Sequence, residues 1–151
     1  EARMLQDLQL TKDDRVLEIG AGSGYMAALM AYQAAQVVTL ELDPQLAQMA
    51  RDNLERAGIT NASVRQADGA VDSLPEGPFD AIVLSGSVAE VPARLLAQLS
   101  DRGRLLAITG QEPVMRVTLV RRKGDRFEVS YPWDVNAARL QHFEEPSTFQ
   151  F

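Results

Sequence analysis

The sequence predicts an α/β protein built on an open, doubly wound, mostly parallel sheet that closes with a C-terminal antiparallel hairpin. Three observations predict it. Short apolar runs alternate with stretches of helical spacing. A glycine turn, Gly20-Ala21-Gly22-Ser23-Gly24, joins the first such run to the helical stretch after it, and Lys123-Gly124-Asp125 joins two strand-like runs near the end.

Taken in order, a helix precedes the first strand, which is the apolar run Arg15 to Ile19, ended by glycine. Tyr25 to Ala35 is rich in alanine, methionine and leucine and reads as a helix; Val37 to Leu42 is β-branched and apolar and reads as the second strand. Asp43 is placed to cap the next helix, with Pro44 at its first position. Leu46, Met49, Ala50, Leu54 and Ala57 then recur at helical spacing until Gly58 stops the run. Ala62 to Arg65 reads as a third strand. Phe79 to Ser85 is a nearly continuous apolar run, as in strands covered on both faces. Pro92 to Leu99 reads as a helix that Gly103 breaks, and Arg104 to Thr109 as the fifth strand. Val114 to Arg121 and Arg126 to Tyr131 form the hairpin, while residues 141–151 show no period and read as an arm or a frayed tail.

A chain of 151 residues with 46% hydrophobic content can build one core without staples, so one domain, 1–151, is expected. The absence of cysteine excludes thiol redox chemistry, a disulfide framework and cysteine-bound zinc; no metal site is expected, and a reducing compartment, the cytoplasm, is the default. No run approaches the length of a membrane span, and the N-terminus lacks the order of a signal peptide. A net charge of −6 argues against nucleic acid or anionic lipid as a partner. Arg121, Arg122, Lys123 and Arg126 read as the solvated end of the hairpin.

The glycine turn follows a strand and opens a helix, where bare backbone admits a ligand. A dinucleotide fingerprint, G-x-G-x-x-G, requires its third glycine at the place held by Tyr25; here it falls one residue earlier, at Gly24. Glu18, two residues before the first glycine, repels pyrophosphate and suits a cationic amine. Glu41 ends the second strand, about 20 residues after Gly20, where a carboxylate accepts hydrogen bonds from ribose hydroxyls and excludes a 2′-phosphate. Asp68, in Gln66-Ala67-Asp68-Gly69-Ala70, follows the third strand; it reads either as an acceptor for an adenine amine or as an ordinary Asp-Gly turn.

These residues resemble the class I methyltransferases that use S-adenosylmethionine, whose fold is Rossmann-like. From about Leu5 to Ser130 the match narrows to one family. LQLTKDDRVLEIGAGSGYMAALMA, VVTLELD, NASVRQADGAVDSLPEGPFDAIVLSGSVAEVPARLLAQLSDRGRLLAITG and LVRRKGDRFEVS look like protein-L-isoaspartate O-methyltransferase. The resemblance implies that S-adenosylmethionine is the methyl donor. Glu18, Gly20, Gly22 and Gly24 would hold its methionine and ribose portions, Glu41 the ribose hydroxyls, and Asp68 with Gly69 the adenine end. Ala21, Tyr25 and Leu42 belong to the same expected donor set. The implied partner is a protein or peptide carrying isoaspartyl residues, whose free carboxylate is esterified.

Methyl transfer from a sulfonium to a carboxylate needs alignment and a dry site rather than a strong base. His142, the sole histidine, is accordingly read as a surface residue and left outside the mechanism. The acceptor side departs from the family. Ser85-Gly86-Ser87-Val88-Ala89 stands where the family has a stretch resembling T-A-A-A-P, and Asn136-Ala137-Ala138-Arg139-Leu140 stands near its F-V-P-L segment. The chain also reads as lacking the family's N-terminal substrate region. Ser85 and Ser87 are the candidate catalytic residues, orienting a carboxylate through their hydroxyls, with turn residues as the alternative reading. Three functions remain open at this point: an isoaspartyl methyltransferase, a donor-binding module without the acceptor site, and a nicotinamide-dependent oxidoreductase.

Overall fold

The computed structural model describes residues 2–70, 74–111, 114–134 and 140–143. The chain runs α1 (Ala2–Leu8), β1 (Arg15–Ile19), α2 (Tyr25–Ala31), β2 (Gln36–Glu41), α3 (Pro44–Arg56), β3 (Ala62–Gln66) and β4 (Phe79–Val88), followed by α4 (Ala93–Leu96), β5 (Leu99–Gln111), β6 (Val114–Lys123) and β7 (Arg126–Asp134). The seven strands form one sheet in the order β3-β2-β1-β4-β5-β6-β7. β1 to β5 pair in parallel, whereas β5, β6 and β7 pair antiparallel, so the expected doubly wound sheet with a terminal hairpin is what forms.

Strand alternation divides the core between the two faces. Val16, Val37, Ala81 and Leu106 point to the face carrying α1, α2 and α3 and pack with Leu8, Met30 and Leu54. Leu17, Leu40, Ile82 and Leu105 point to the other face, against Leu95 of α4. Each fully buried valine, leucine, isoleucine or methionine among them stabilises the fold by about 1.5–3 kcal/mol. The strand order reverses between β1 and β4, which opens a crevice at their carboxyl ends.

The local signals hold best where they are self-contained. Asp43 caps α3 through Oδ1, which accepts from the Gln45 N–H at 2.8 Å and the Leu46 N–H at 3.4 Å. Asp43→Ala is expected to lower stability by about 1 kcal/mol, read as a lower melting temperature with unchanged helical circular dichroism at 20 °C or so.

Four elements, α2, α4, β4 and β5, have bounds that differ from expectation. α2 ends at Ala31 rather than Ala35. The helix expected over Pro92 to Leu99 is the single turn Ala93–Leu96, because Leu99 is already paired with Phe79 in the sheet. Gly103, expected to break that helix, lies inside β5 at an irregularity between the Phe79 and Ala81 pairings; a Cβ there would stand 2.8 Å from the Ser100 carbonyl oxygen. β4 also runs on past Ser85, where the expected strand ended, to Val88. The expected C-terminal tail falls largely on residues 144–151, and most of the acceptor segment on 136–139, both outside the described residues.

Arg104 is buried in β5 and joins distant parts of the chain. Its guanidinium donates to the carbonyls of Leu8 (2.6 Å), Gln9 (3.0 Å) and Asp80 (3.1 Å) and to Asp14 Oδ2 (2.8 Å). Gln9 is in the left-handed conformation, φ 51°, and ends α1, so Arg104 satisfies carbonyls that a helix end leaves without partners.

Candidate functional site

A cavity of about 530 Å³ lies at the carboxyl ends of β1, β2, β3 and β4, at the reversal of strand order. Gly20 and Gly22 form one wall, Leu40, Glu41 and Leu42 a second, and Asp68 with Gly69 a third. Gly22 has φ 52°, and a Cβ on it would meet nothing within 4 Å, so the turn presents open backbone beside the cavity.

Glu41 fixes that turn. As β2 ends, its carboxylate reaches across to the neighbouring connection, where Oε1 accepts from the Gly22 N–H at 3.0 Å and Oε2 from the Asp43 N–H at 3.1 Å. Two charge-assisted bonds to backbone hold the carboxylate in one orientation and leave further lone pairs for a ligand. Asp68 lines the opposite part of the rim. Its Oδ1 accepts from the Ala70 N–H at 2.9 Å, and its Oδ2 stands 2.7 Å from His142 Nδ1. The bond from His142, the Ala70 N–H and the charges of His142 and Arg94 together outweigh burial and hold the Asp68 carboxyl below its ordinary value.

Glu18 is placed differently from the sequence-based expectation. It does not line the cavity but lies fully buried in β1, beside its strand partner Thr39. The Thr39 hydroxyl donates to Oε1 at 2.7 Å and the Ser85 hydroxyl to Oε2 at 2.5 Å. Ser85 therefore stands between this buried carboxylate and the cavity, which it lines. With its proton directed at Glu18, the Ser85 oxygen faces a ligand as an acceptor rather than as a donor to a carboxylate.

Ser87 also departs from expectation. Residues two apart on a regular strand share a face, but the β4–β5 register is irregular between Val83 and Ser87, and Ser85 is exposed while Ser87 is buried. Ser87 does not line the cavity; its carbonyl accepts from the Leu140 N–H at 2.7 Å. Of the remaining expected donor residues, Ala21 is buried under the turn and Gly24 caps α2. Tyr25 is 58% exposed at the start of that helix, and none of the three lines the cavity.

The sequence reading did not place Leu140, Gln141 and Phe143 in the cavity wall or pair His142 with Asp68. No spacing announces these contacts, since they arise where the end of the chain returns to the switch point. Three carboxylate residues, Glu41, Asp43 and Asp68, line the cavity, and its described lining holds no lysine or arginine. Such a rim suits a ligand that presents hydroxyls, N–H groups and positive charge, and it disfavours pyrophosphate.

Comparison with known proteins places this architecture. Residues 1–136 match the family model of protein-L-isoaspartate(D-aspartate) O-methyltransferase. A protein-L-isoaspartate O-methyltransferase from Methanoculleus marisnigri is 48% identical over 124 residues, covering 82% of this chain and 56% of the relative. One from Koribacter versatilis is 39% identical over 127 residues, covering 84% and 57%. The chain thus spans little more than half the length of these relatives. Among solved structures, a protein-L-isoaspartate O-methyltransferase superposes with a TM-score of 0.83 at 28% identity, over 92% of this chain and 45% of the other. A tRNA (m1A58) methyltransferase from Aquifex aeolicus, at 20% identity and a TM-score of 0.65 over 91% of this chain and 64% of its own, shares the fold. The chain belongs to the protein-L-isoaspartate O-methyltransferase family.

Proposed function

We propose that this domain binds S-adenosylmethionine in the switch-point cavity and methylates the free carboxylate of isoaspartyl residues in proteins. The observation that carries the reading is the acid-lined cavity beside a bare glycine turn, in a chain of this family. The residues present fit the donor: Glu41 for the ribose hydroxyls, Asp68 for the adenine amine, and the Gly20 and Gly22 backbone, with the Ser85 oxygen, toward the methionine portion. When bound, S-adenosylmethionine supplies a methyl group on a positively charged sulfur, already activated for displacement.

The isoaspartyl carboxylate is anionic at neutral pH, so its oxygen attacks without a general base. The protein's task is to hold the reactants in line and exclude water. Leu40, Leu42 and Phe143 provide apolar wall for that purpose, and Glu18, through Ser85, fixes the floor at the end of β4. Damaged protein is the proposed partner and the cytoplasm the proposed location.

The test is transfer of labelled methyl from S-adenosylmethionine to an isoaspartyl peptide and to its aspartyl counterpart of the same sequence. Label is expected in the first alone, and S-adenosylhomocysteine at about 100 times its Kd should stabilise the protein by about 2.7 kcal/mol. Stabilisation by NADH instead would overturn the donor assignment. The Ser85 proton bond to Glu18 and the burial of Ser87 favour one second reading, a donor-binding module with a different acceptor. Stabilisation by the donor with neither peptide labelled would establish it.

A further inference from the structure

Residues 140–143 cross the cavity beside the glycine turn. The Leu140 N–H is bonded to Ser87, and the Leu140 side chain lies 3.3 Å from where a Cβ on Gly20 would be. Leu140 and Phe143 pack against the apolar cluster of Leu17, Leu40 and Ile82, and both line the cavity. Between them His142 adopts φ 70°, which turns its half-exposed ring toward Asp68 on the opposite rim.

We propose that His142 is a positioning residue of the donor site: its bond to Asp68 holds residues 140–143 closed over the cavity, and the donor binds this closed arrangement more tightly than an open one. The inference rests on the reading of the cavity as the S-adenosylmethionine site. Closed, Leu140 and Phe143 complete an apolar wall that a bound donor touches. Any bond that populates that state raises the apparent affinity.

The charge on His142 enters because an imidazolium binds a carboxylate more strongly than a neutral imidazole does. The groups around the pair are of both signs. Arg94 of α4 donates to the carbonyls of Gly69 and Ala70 and favours the ionised Asp68. Glu41 and Asp43, at the end of β2, line the same cavity and are the other acids in its described lining. An imidazolium at this position therefore closes the segment more firmly than a neutral ring, and by reciprocity donor binding is coupled to proton uptake.

The experiment is calorimetric titration of the full chain with S-adenosylhomocysteine between about pH 5.5 and 8, the interval over which histidines in general change charge. Wild type, His142→Ala and His142→Asn are compared in two buffers of different ionisation enthalpy. Asparagine keeps an N–H donor near the Nδ1 position and cannot be protonated. The expected result is a wild-type Kd that weakens by about two- to fivefold as pH rises, as for a partly exposed ion pair. Proton uptake should accompany binding. His142→Ala should bind more weakly than wild type at pH ~5.5, and His142→Asn should lie between them with a flat profile. A pH profile shared by wild type and His142→Asn, or an unchanged affinity in His142→Ala, overturns the proposal. Absence of wild-type binding at every pH overturns the donor reading and the role of His142 together.

Discussion

Replacing Arg104 by methionine is expected to destabilise the protein by about 3–5 kcal/mol, the cost of breaking a buried charged network by removing one partner. A domain of this size has a total stability of about 5–15 kcal/mol, so the change consumes much of it. The loss comes less from the missing attraction than from the groups left behind. The carbonyls of Leu8, Gln9 and Asp80 and the carboxylate of Asp14 each lose a donor, the first at a buried bond and the others at part-buried ones. Urea unfolding followed by circular dichroism measures it, and a loss below about 1 kcal/mol would remove Arg104 from the framework. Arg104→Lys should recover only part of the difference, because one ammonium cannot replace a planar fork that reaches four oxygens.

The same network predicts an acid dependence. Burial alone would raise the Asp14 carboxyl, but the hydrogen bond from Arg104, the Thr11 N–H and the Arg104 charge outweigh it and hold it below its ordinary value of 3.8. A group depressed in the folded state stabilises fully above its unfolded value. Asp14 therefore contributes fully above pH 3.8 and loses that contribution as pH falls through the lower folded value. Arg104→Met should flatten this part of the stability profile, leaving the smaller share due to Thr11.

Glu41→Ala is expected to weaken S-adenosylhomocysteine binding by about 1.5–3 kcal/mol, roughly tenfold to a hundredfold, the range for hydrogen bonds to a charged group. The variant also frees the Gly22 and Asp43 N–H groups, so the turn itself should lose order. Glu41→Gln separates the two effects: its amide oxygen keeps one of the backbone bonds, and its affinity should lie between alanine and wild type. Titration calorimetry reads both variants, and unaltered affinity in Glu41→Ala would take this residue out of the site.

What the sequence made legible was whatever neighbours in the chain decide. The strand Arg15–Ile19, the turn behind it, the Asp43 cap and the KGD hairpin each follow from a few consecutive residues. The rim acids Glu41 and Asp68 were legible as well, because a parallel sheet delivers the ends of its strands to one edge. Contacts decided by pairing between remote segments were not. Leu99 continues a helical pattern but is drawn into the sheet by Phe79, and an irregularity opposite β5 sends Ser85 and Ser87 to different surroundings. His142 looked like a surface residue, and it is half exposed; what its sequence context did not carry was Asp68, 74 residues away. Glu18 was expected at the ligand, yet strand alternation turns it into the interior, where Thr39 and Ser85 receive it.

The reach of Arg104 also bears on how the chain is made. It binds Leu8 across 96 positions and Asp14 across 90. During synthesis at about 5–20 residues per second, several seconds pass between the addition of Leu8 and that of Arg104, whose guanidinium donates to the carbonyl at the end of α1. Through that interval the seven residues of α1 are too few to hold a helix by themselves, and the apolar side chains of Met4 and Leu8, buried in the finished fold, wait for their cover. Closure of the N-terminal part is thereby tied to the arrival of β5, which makes docking of the first helix a late event in folding.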